Sequence, residues 1–209
     1  MNLILKACVF LSLVICATSA DAALIRSLQI EGNATVLPGG VNMVSVYFRE
    51  VATAGETLLL TNPAIGLVNA NFMINRSAST GNNNITGNAG NLIFESSGPF
   101  TFTNSTASFP LVALTNTPLG IGTATDARIL LGTFNVTGGA INDSATFTVV
   151  TPTTNDFVFG NNLAVGDQLG SLPSITITAV PEPASFILLM GAASAVGGWR
   201  LRRKLGRSR

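Results

Sequence analysis

The sequence contains no histidine, and this absence removes several kinds of chemistry at once. A Ser-His-Asp triad needs an imidazole as its general base, and histidine is a common ligand of catalytic zinc. The two cysteines are Cys8 and Cys16, and the two lysines are Lys6 and Lys204. Thiol and Schiff-base nucleophiles are therefore missing between residues 23 and 179. Glycine-rich phosphate loops of the two common spacings are missing as well.

Positive charge is scarce in the body of the chain, which we define as residues 23–179. The body has no lysine, and its charged residues are four arginines and eight acids: Arg26, Arg49, Arg76 and Arg128, with Glu31, Glu50, Glu56, Glu95, Asp126, Asp143, Asp156 and Asp167. The resulting net charge of about −4 argues against nucleic acid or anionic lipid as a partner. Two carboxylates suffice for a glycosidase, so a carboxylate-dependent hydrolase is the least favoured of the alternative functions. We interpret the scattered acids as solvated surface charges, and we predict no enzymatic activity.

Tyrosine and tryptophan are scarce, and the ten phenylalanines of the body mostly stand at predicted strand positions, where we expect them in the core. Tyr47 is the only tyrosine, and Trp199, the only tryptophan, lies outside the body. Sugar binding commonly uses an exposed aromatic ring, so a flat aromatic platform is not expected here. Asparagine-rich loops remain as an alternative means of holding a glycan or a protein through hydrogen bonds.

We expect no cofactor, with calcium as the one alternative. Hard cations prefer oxygen ligands from Asp, Asn and backbone carbonyls. Two groups could supply them: Asn142 with Asp143, and a wider group of Asn155, Asp156, Asn161, Asn162 and Asp167. Turn formation explains the same residues, because Asn and Asp cap turns and tolerate left-handed backbone.

Alternation of apolar and polar residues predicts strands along the body. The clearest segments are residues 44–48, 68–74 and 145–149. Shorter runs favour strand at residues 27–31, 57–61, 91–95, 107–114, 128–136 and 174–178, and clusters of Gly, Asn and Pro separate them. The pattern predicts an all-β fold: a single antiparallel β-sandwich of jelly-roll or cohesin-like type.

The amino-terminal 22 residues have the three parts of a secretory signal peptide. Lys6 supplies positive charge, residues 7–17 are apolar, and Ala20-Asp21-Ala22 offers small residues for cleavage. A lipoprotein signal ending at Cys16 is the alternative, although Ile15 is larger than the residue normally found before such a cysteine. Removal of this segment leaves a body without thiols, which must be stable through its core alone.

The last thirty residues, 180–209, predict a single transmembrane helix. Residues 183–199 carry no charge, and as a helix they span roughly 26 Å, near the lower limit for a bilayer core. Trp199 stands where an interfacial aromatic belongs, and six basic residues follow: Arg200, Arg202, Arg203, Lys204, Arg207 and Arg209. Positive charge at one end predicts that this end stays in the cytoplasm. A buried core helix is the alternative, but it would not normally end in a run of unpaired cations.

The order of these features resembles the PEP-CTERM sorting signal. Pro181-Glu182-Pro183 comes first, the apolar run second, and the basic tail from Arg200 to Lys204 third. The resemblance implies an exported protein of a Gram-negative, exopolysaccharide-producing bacterium, with the inner membrane and an exosortase as partners. Recognition would take place around Pro181, Glu182 and Pro183, and the protein would reach the cell surface or matrix after processing.

A second resemblance concerns the body. Residues 38–46, 66–74 and 128–136 are similar to strands of cohesin-like sandwiches. The sequence thus predicts three parts: a signal peptide at 1–22, an extracytoplasmic sandwich at 23–179 and a sorting signal at 180–209. The preferred function is a structural or adhesive surface protein, with exopolysaccharide or another surface protein as partner. A glycan- or protein-binding module is the alternative.

Overall fold

The computed structural model describes residues 24–182 except residues 54, 92–93, 97–99, 114–118 and 151–152. Within these residues, no helix is long and apolar enough to cross a membrane. The predicted signal peptide and the predicted transmembrane helix both lie outside the described residues. Pro183, Trp199 and the basic tail (Arg200, Arg202, Arg203, Lys204) lie outside them too.

The body is built almost entirely from strands, as its alternating sequence predicts. The twelve strands that the structure describes are β1 (Leu24–Glu31), β2 (Thr35–Val36), β3 (Val41–Ala52), β4 (Leu67–Thr80), β5 (Asn84–Gly90), β6 (Phe94–Ser96), β7 (Thr106–Ala113), β8 (Ile121–Gly122), β9 (Asp126–Thr137), β10 (Ser144–Val149), β11 (Phe157–Phe159) and β12 (Ser174–Ala179). Two short 3-10 turns, Thr154–Asp156 and Gly166–Gln168, flank β11. The prediction of an all-β body is confirmed.

The strands form two sheets. The first has the order β1-β3-β9-β5, with β8 also paired to β9, and the second has the order β2-β12-β10-β4-β7-β6, with β11 also paired to β4. All these pairs are antiparallel except β12 with β2, in which Thr178 lies opposite Thr35 and Ala179 opposite Val36. The expectation of a purely antiparallel sandwich is wrong at this pair. A two-residue strand placed beside β12 covers the edge that β12 would otherwise expose.

The core lies between the sheets and is filled by alternate residues of the long strands. Val44, Val46 and Phe48 of β3 are fully buried, while the intervening side chains face outward. Phe72 of β4 stacks on Phe109 of β7, with ring centroids 4.6 Å apart. Burial of one face of each strand fixes the register, because a shift by one residue would turn the apolar set outward.

One ion pair is buried at the end of the core where β1 begins. Arg26 donates from Nε to Glu50 over 3.1 Å, and the second carboxylate oxygen of Glu50 accepts the backbone N–H groups of Leu59 and Leu60. Among the described residues, the structure has no strand between β3 and β4, so the strand predicted at residues 57–61 is wrong. Leu58 and Leu60 alternate as strand residues would. However, the carboxylate of Glu50, and not a neighbouring strand, satisfies two of the backbone donors of this segment.

Candidate functional site

The candidate site begins where β12 ends, because the predicted sorting signal follows this strand directly. Ala179, the last residue of β12, is fully buried. Its N–H donates to the carbonyl of Asp143 over 2.8 Å, and its own carbonyl accepts the N–H of Asn142 over 2.8 Å. Val180 donates in turn to the carbonyl of Val36 over 2.8 Å. The backbone is thus held by neighbouring segments up to Val180.

Proline stops this hydrogen-bonded ladder. Ala179 donates its N–H towards Asp143, and Pro181, the next residue on that side of the strand, has no N–H to donate, so the ladder ends there. Pro181 is half-buried and Glu182 is exposed. The chain therefore leaves the sandwich at Pro181, and the acidic residue of the Pro-Glu-Pro sequence faces solvent.

Three loops surround this point, which we call the exit end of the sandwich. They are residues 37–40, 81–83 and 138–143, and they are joined to one another by hydrogen bonds. Gly39 donates to the carbonyl of Gly138, and Gly138 donates to the carbonyl of Gly40, both over 2.9 Å. The exit end is therefore one connected surface.

Asn83 links these loops to β12. Its side chain is fully buried and donates from Nδ2 to the carbonyls of Asp143 and Ile177, at 3.0 and 2.8 Å. Its Oδ1 accepts the N–H of Gly139 over 2.7 Å. One amide thus makes three hydrogen bonds to the backbone and ties the loops to β12.

Asp143 plays a similar part at the surface of the exit end. One oxygen of its carboxylate accepts the N–H groups of Asn82 and Ala140, at 2.9 and 2.8 Å. Gly81 has a φ of 97°, and a Cβ added there would lie 2.0 Å from this carboxylate. Only glycine combines this backbone conformation with such a close approach.

The structure places the predicted sorting residues at one exposed point, so far as they are described. Pro181 and Glu182 follow the buried end of β12, whereas Pro183 and the residues from Trp199 onward lie outside the described part. Residues 179–204 match the model of the PEP-CTERM protein-sorting motif. The chain carries a PEP-CTERM sorting motif. This motif implies export and membrane anchoring before processing, and its first residue is the buried last residue of β12.

The body has a weak structural resemblance to a cohesin module from a family 33 glycoside hydrolase of Clostridium perfringens ATCC13124. The sequences are 13% identical, the TM-score is 0.47, and the match covers 77% of this chain and 100% of the module. The predicted resemblance to cohesin-like sandwiches is confirmed at this weak level. No curated protein matches the chain by sequence.

The remaining acids of the described body are dispersed, and several have partners. Glu31 forms an ion pair with Arg128, and Asp126 forms one with Arg49. The guanidinium carbon of Arg128 also lies 4.5 Å from the centre of the Tyr47 ring. Within the described residues, no three Asp, Glu, Cys or His side chains gather as metal ligands would.

The two groups considered for calcium lie in turns. Asp156 accepts the N–H of Thr153, and Asn161 accepts the N–H of Leu163. Asn142 and Asn162 adopt φ values of 71° and 63°, in the left-handed region. Turn geometry therefore uses the residues that the sequence offered as ligands, and calcium at these turns stays a prediction.

Asp126 provides a pH-dependent contribution to stability. The hydrogen bond from Arg49 lowers the pKa of Asp126 from its ordinary value of 3.8, against a smaller opposing effect of desolvation. Because the folded-state pKa is the lower one, the pair stabilises the fold above the ordinary value, and the contribution is lost as pH falls through the lowered pKa. We expect Asp126→Asn to reduce the urea midpoint slightly at neutral pH. The difference from the parent chain should vanish once the pH lies below the lowered pKa, and the exposed Asp167→Asn serves as the control.

Sequence reasoning missed one feature of the second sheet's outer face. A depression of about 230 Å3 lies between β4 and β7, and its lining includes Asn71, Met73, Ser108, Pro110, Val150 and Asp156. The side-chain oxygens of Asn71 and Asn75 are buried and have no hydrogen-bond partner. The sequence predicts Asn71 on the outward face of the strand at residues 68–74, and Asn75 stands directly after that segment.

Proposed function

We propose that the protein is a non-enzymatic exported sandwich that an exosortase sorts through its PEP-CTERM motif. The carboxyl-terminal helix holds it in the inner membrane, with Arg200, Arg202, Arg203 and Lys204 on the cytoplasmic side. After processing it serves as a structural or adhesive component of the cell surface or the exopolysaccharide matrix of a Gram-negative bacterium. Its partner is exopolysaccharide or another surface protein.

The observation that supports this proposal most strongly is the position of the motif on the fold. The hydrogen-bonded body ends at Val180, Glu182 is exposed, and the apolar run begins directly after Pro183. A processing enzyme in the membrane would therefore meet an exposed Glu182 next to a hydrogen-bonded cargo. The outward faces of the strands, rich in Ser, Thr and Asn, suit a protein that works in water once it is released.

Cell fractionation tests the sorting part of the proposal. We expect the intact chain in the inner membrane before processing, and we expect a chain that ends at Val180 in the soluble exported fraction, because it lacks the apolar run. The readout is the distribution of the protein between membrane and soluble fractions by immunoblot.

A matched variant separates anchoring from recognition. The triple substitution Pro181→Ala, Glu182→Gln and Pro183→Ala removes the Pro-Glu-Pro sequence but keeps the apolar run and the basic tail. This variant should enter the membrane but accumulate there unprocessed. If the truncated and intact chains were retained equally in the inner membrane, the sorting proposal would be wrong.

A second candidate function, binding of a neutral glycan, is favoured by the depression on the second sheet. Asn71 and Ser108 line this depression, and their polar side chains could form hydrogen bonds with sugar hydroxyls. Phe72 and Phe109 lie beneath it, and their rings are buried at 5% and 0% exposure. Hydrogen bonding by strand residues would then replace the loop binding that the sequence suggested.

A glycan array with the purified protein tests this candidate. Asn71→Ala should weaken any binding several-fold, in keeping with the loss of one hydrogen bond of about 1 kcal/mol. Asn69→Ala is the matched control, because Asn69 lies on the same face of β4 and donates to the carbonyl of Asn155. Equal losses in the two variants, or no binding by the parent chain, would contradict a site at Asn71.

A further inference from the structure

We propose that the exit end of the sandwich rests on the lipid bilayer while the chain is anchored, through an apolar patch formed by Leu37, Val41, Met43 and Ile141. The proposal rests on the membrane anchoring proposed above and adds an orientation for the body. The four side chains are 39%, 62%, 63% and 53% exposed. Large apolar side chains exposed together mark a surface that meets an apolar partner.

The fold brings these four residues to one end of the molecule. Val41 lies opposite Thr137, and Met43 opposite Asn135, at the start of β3 and the end of β9. Leu37 lies in the loop before β3, and Ile141 lies in the loop after β9. The backbone hydrogen bonds between Gly39, Gly40 and Gly138 join these two loops.

The anchored tail leaves from the same end. Asn142, next to Ile141, donates to the carbonyl of Ala179, and Val180 donates to the carbonyl of Val36, next to Leu37. Four residues, 180–183, separate Ala179 from the apolar run. The five backbone steps from Ala179 to Ala184 span at most roughly 18 Å when fully extended, so an anchored chain keeps the exit end within that distance of the bilayer.

Charge at the exit end agrees with an apolar contact. Its loops and the emerging chain, residues 37–40, 81–83, 138–143 and 180–182, contain no lysine or arginine, and their only charged residues are Asp143 and Glu182. The carboxylate of Asp143 is held by two backbone N–H groups. One guanidinium, that of the half-buried Arg76 of β4, reaches these loops and donates to the carbonyl of Asn83. The opposite end also exposes Ile25 and Ile121, but it contains the Arg26–Glu50 and Arg49–Asp126 pairs and the exposed Glu56 beside them. Apolar side chains with so little positive charge favour the headgroup–acyl boundary of a neutral bilayer over an electrostatic contact.

Spin labels at single cysteines test this orientation. The full chain, with Cys8→Ser and Cys16→Ser, is exported in cells, purified from membranes and reconstituted into phosphatidylcholine vesicles. Three reporters are compared: Asn82→Cys at the exit end, Ile121→Cys at the opposite end, and Leu189→Cys in the apolar run. The measurement is the collision rate of each nitroxide with oxygen, which enters the bilayer, and with a water-soluble nickel chelate.

We expect the label at residue 82 to favour oxygen over nickel several-fold more than the label at residue 121 does. Adding Leu37→Asn and Ile141→Asn should remove that difference and leave the label at residue 189 within the bilayer. If residue 189 is within the bilayer but residues 82 and 121 are equally exposed to nickel, or the double substitution has no effect, the orientation is wrong. If the label at residue 189 is itself in water, the proposed anchoring fails instead.

Discussion

Glu50→Ala is expected to lower the free energy of unfolding by about 3–5 kcal/mol, as removal of one partner from a buried ion pair commonly does. Glu50 is fully buried and Arg26 is 8% exposed. Without the carboxylate, the guanidinium keeps, among the described residues, the hydrogen bond to Gln168 and its contact with the face of the Phe159 ring. The backbone donors of Leu59 and Leu60 lose their acceptor as well. Urea unfolding followed by circular dichroism measures the loss.

Two controls show whether the buried charge is the cause. Glu56→Ala removes an exposed acid from the same region and should change stability by less than about 0.5 kcal/mol. Glu50→Gln keeps an acceptor oxygen for Leu59 and Leu60 but leaves Arg26 without its counter-charge. We expect it to fall between the parent chain and Glu50→Ala. Equal stability of Glu50→Ala and Glu56→Ala would contradict the assigned role.

The long strands could be predicted because their sequence has one dominant cause. In β3, β4, β9 and β10, one apolar face is buried against the other sheet, so the alternation of residues reports the structure directly. The same reasoning found β1, β7 and β12 to within a few residues.

The errors arise in segments where burial of apolar side chains and pairing of strands do not coincide. Residues 57–61 have strand-like alternation, but Glu50 supplies acceptors for two of their backbone donors. β5 has the opposite character, because its sequence Asn-Ile-Thr-Gly-Asn-Ala-Gly lacks an apolar face and yet pairs with β9. β11 has three residues, too few to show a period. Contacts with distant parts of the chain determine the secondary structure of these segments, and the local sequence does not predict those contacts.

The candidate site, like the fold, could be predicted only in part from the sequence. The Pro-Glu-Pro sequence and the apolar run could be found from the sequence, because recognition and insertion of such a tail depend on local order. The surface around the tail could not be found, since it is assembled from loops that are far apart in the sequence. Leu37 and Ile141 look like isolated loop residues in the sequence. Only the pairing of β2 with β12 and the contacts of Gly138 bring them beside the exit point.

Asn83 is the residue on which the geometry of the exit end depends most. Its buried amide makes three hydrogen bonds, to the carbonyls of Asp143 and Ile177 and from the N–H of Gly139. Asn83→Ala would remove all three hydrogen bonds, although the carbonyl of Asp143 would still accept the N–H of Ala179. At about 1 kcal/mol for each bond, we expect a loss of roughly 3 kcal/mol in the free energy of unfolding. Urea unfolding measures this loss.

The neighbouring Asn82 makes the comparison specific. Its side chain is exposed, and its backbone N–H, which contacts Asp143, survives substitution. Asn82→Ala should therefore leave stability within about 0.5 kcal/mol of the parent chain. In Asn83→Ala, amide exchange at Ala179 and Val180 should accelerate more than exchange in β3, because the loops that hold the end of β12 lose their common link. Uniform acceleration across both sheets would show that Asn83 stabilises the sandwich as a whole and has no special role at the exit end.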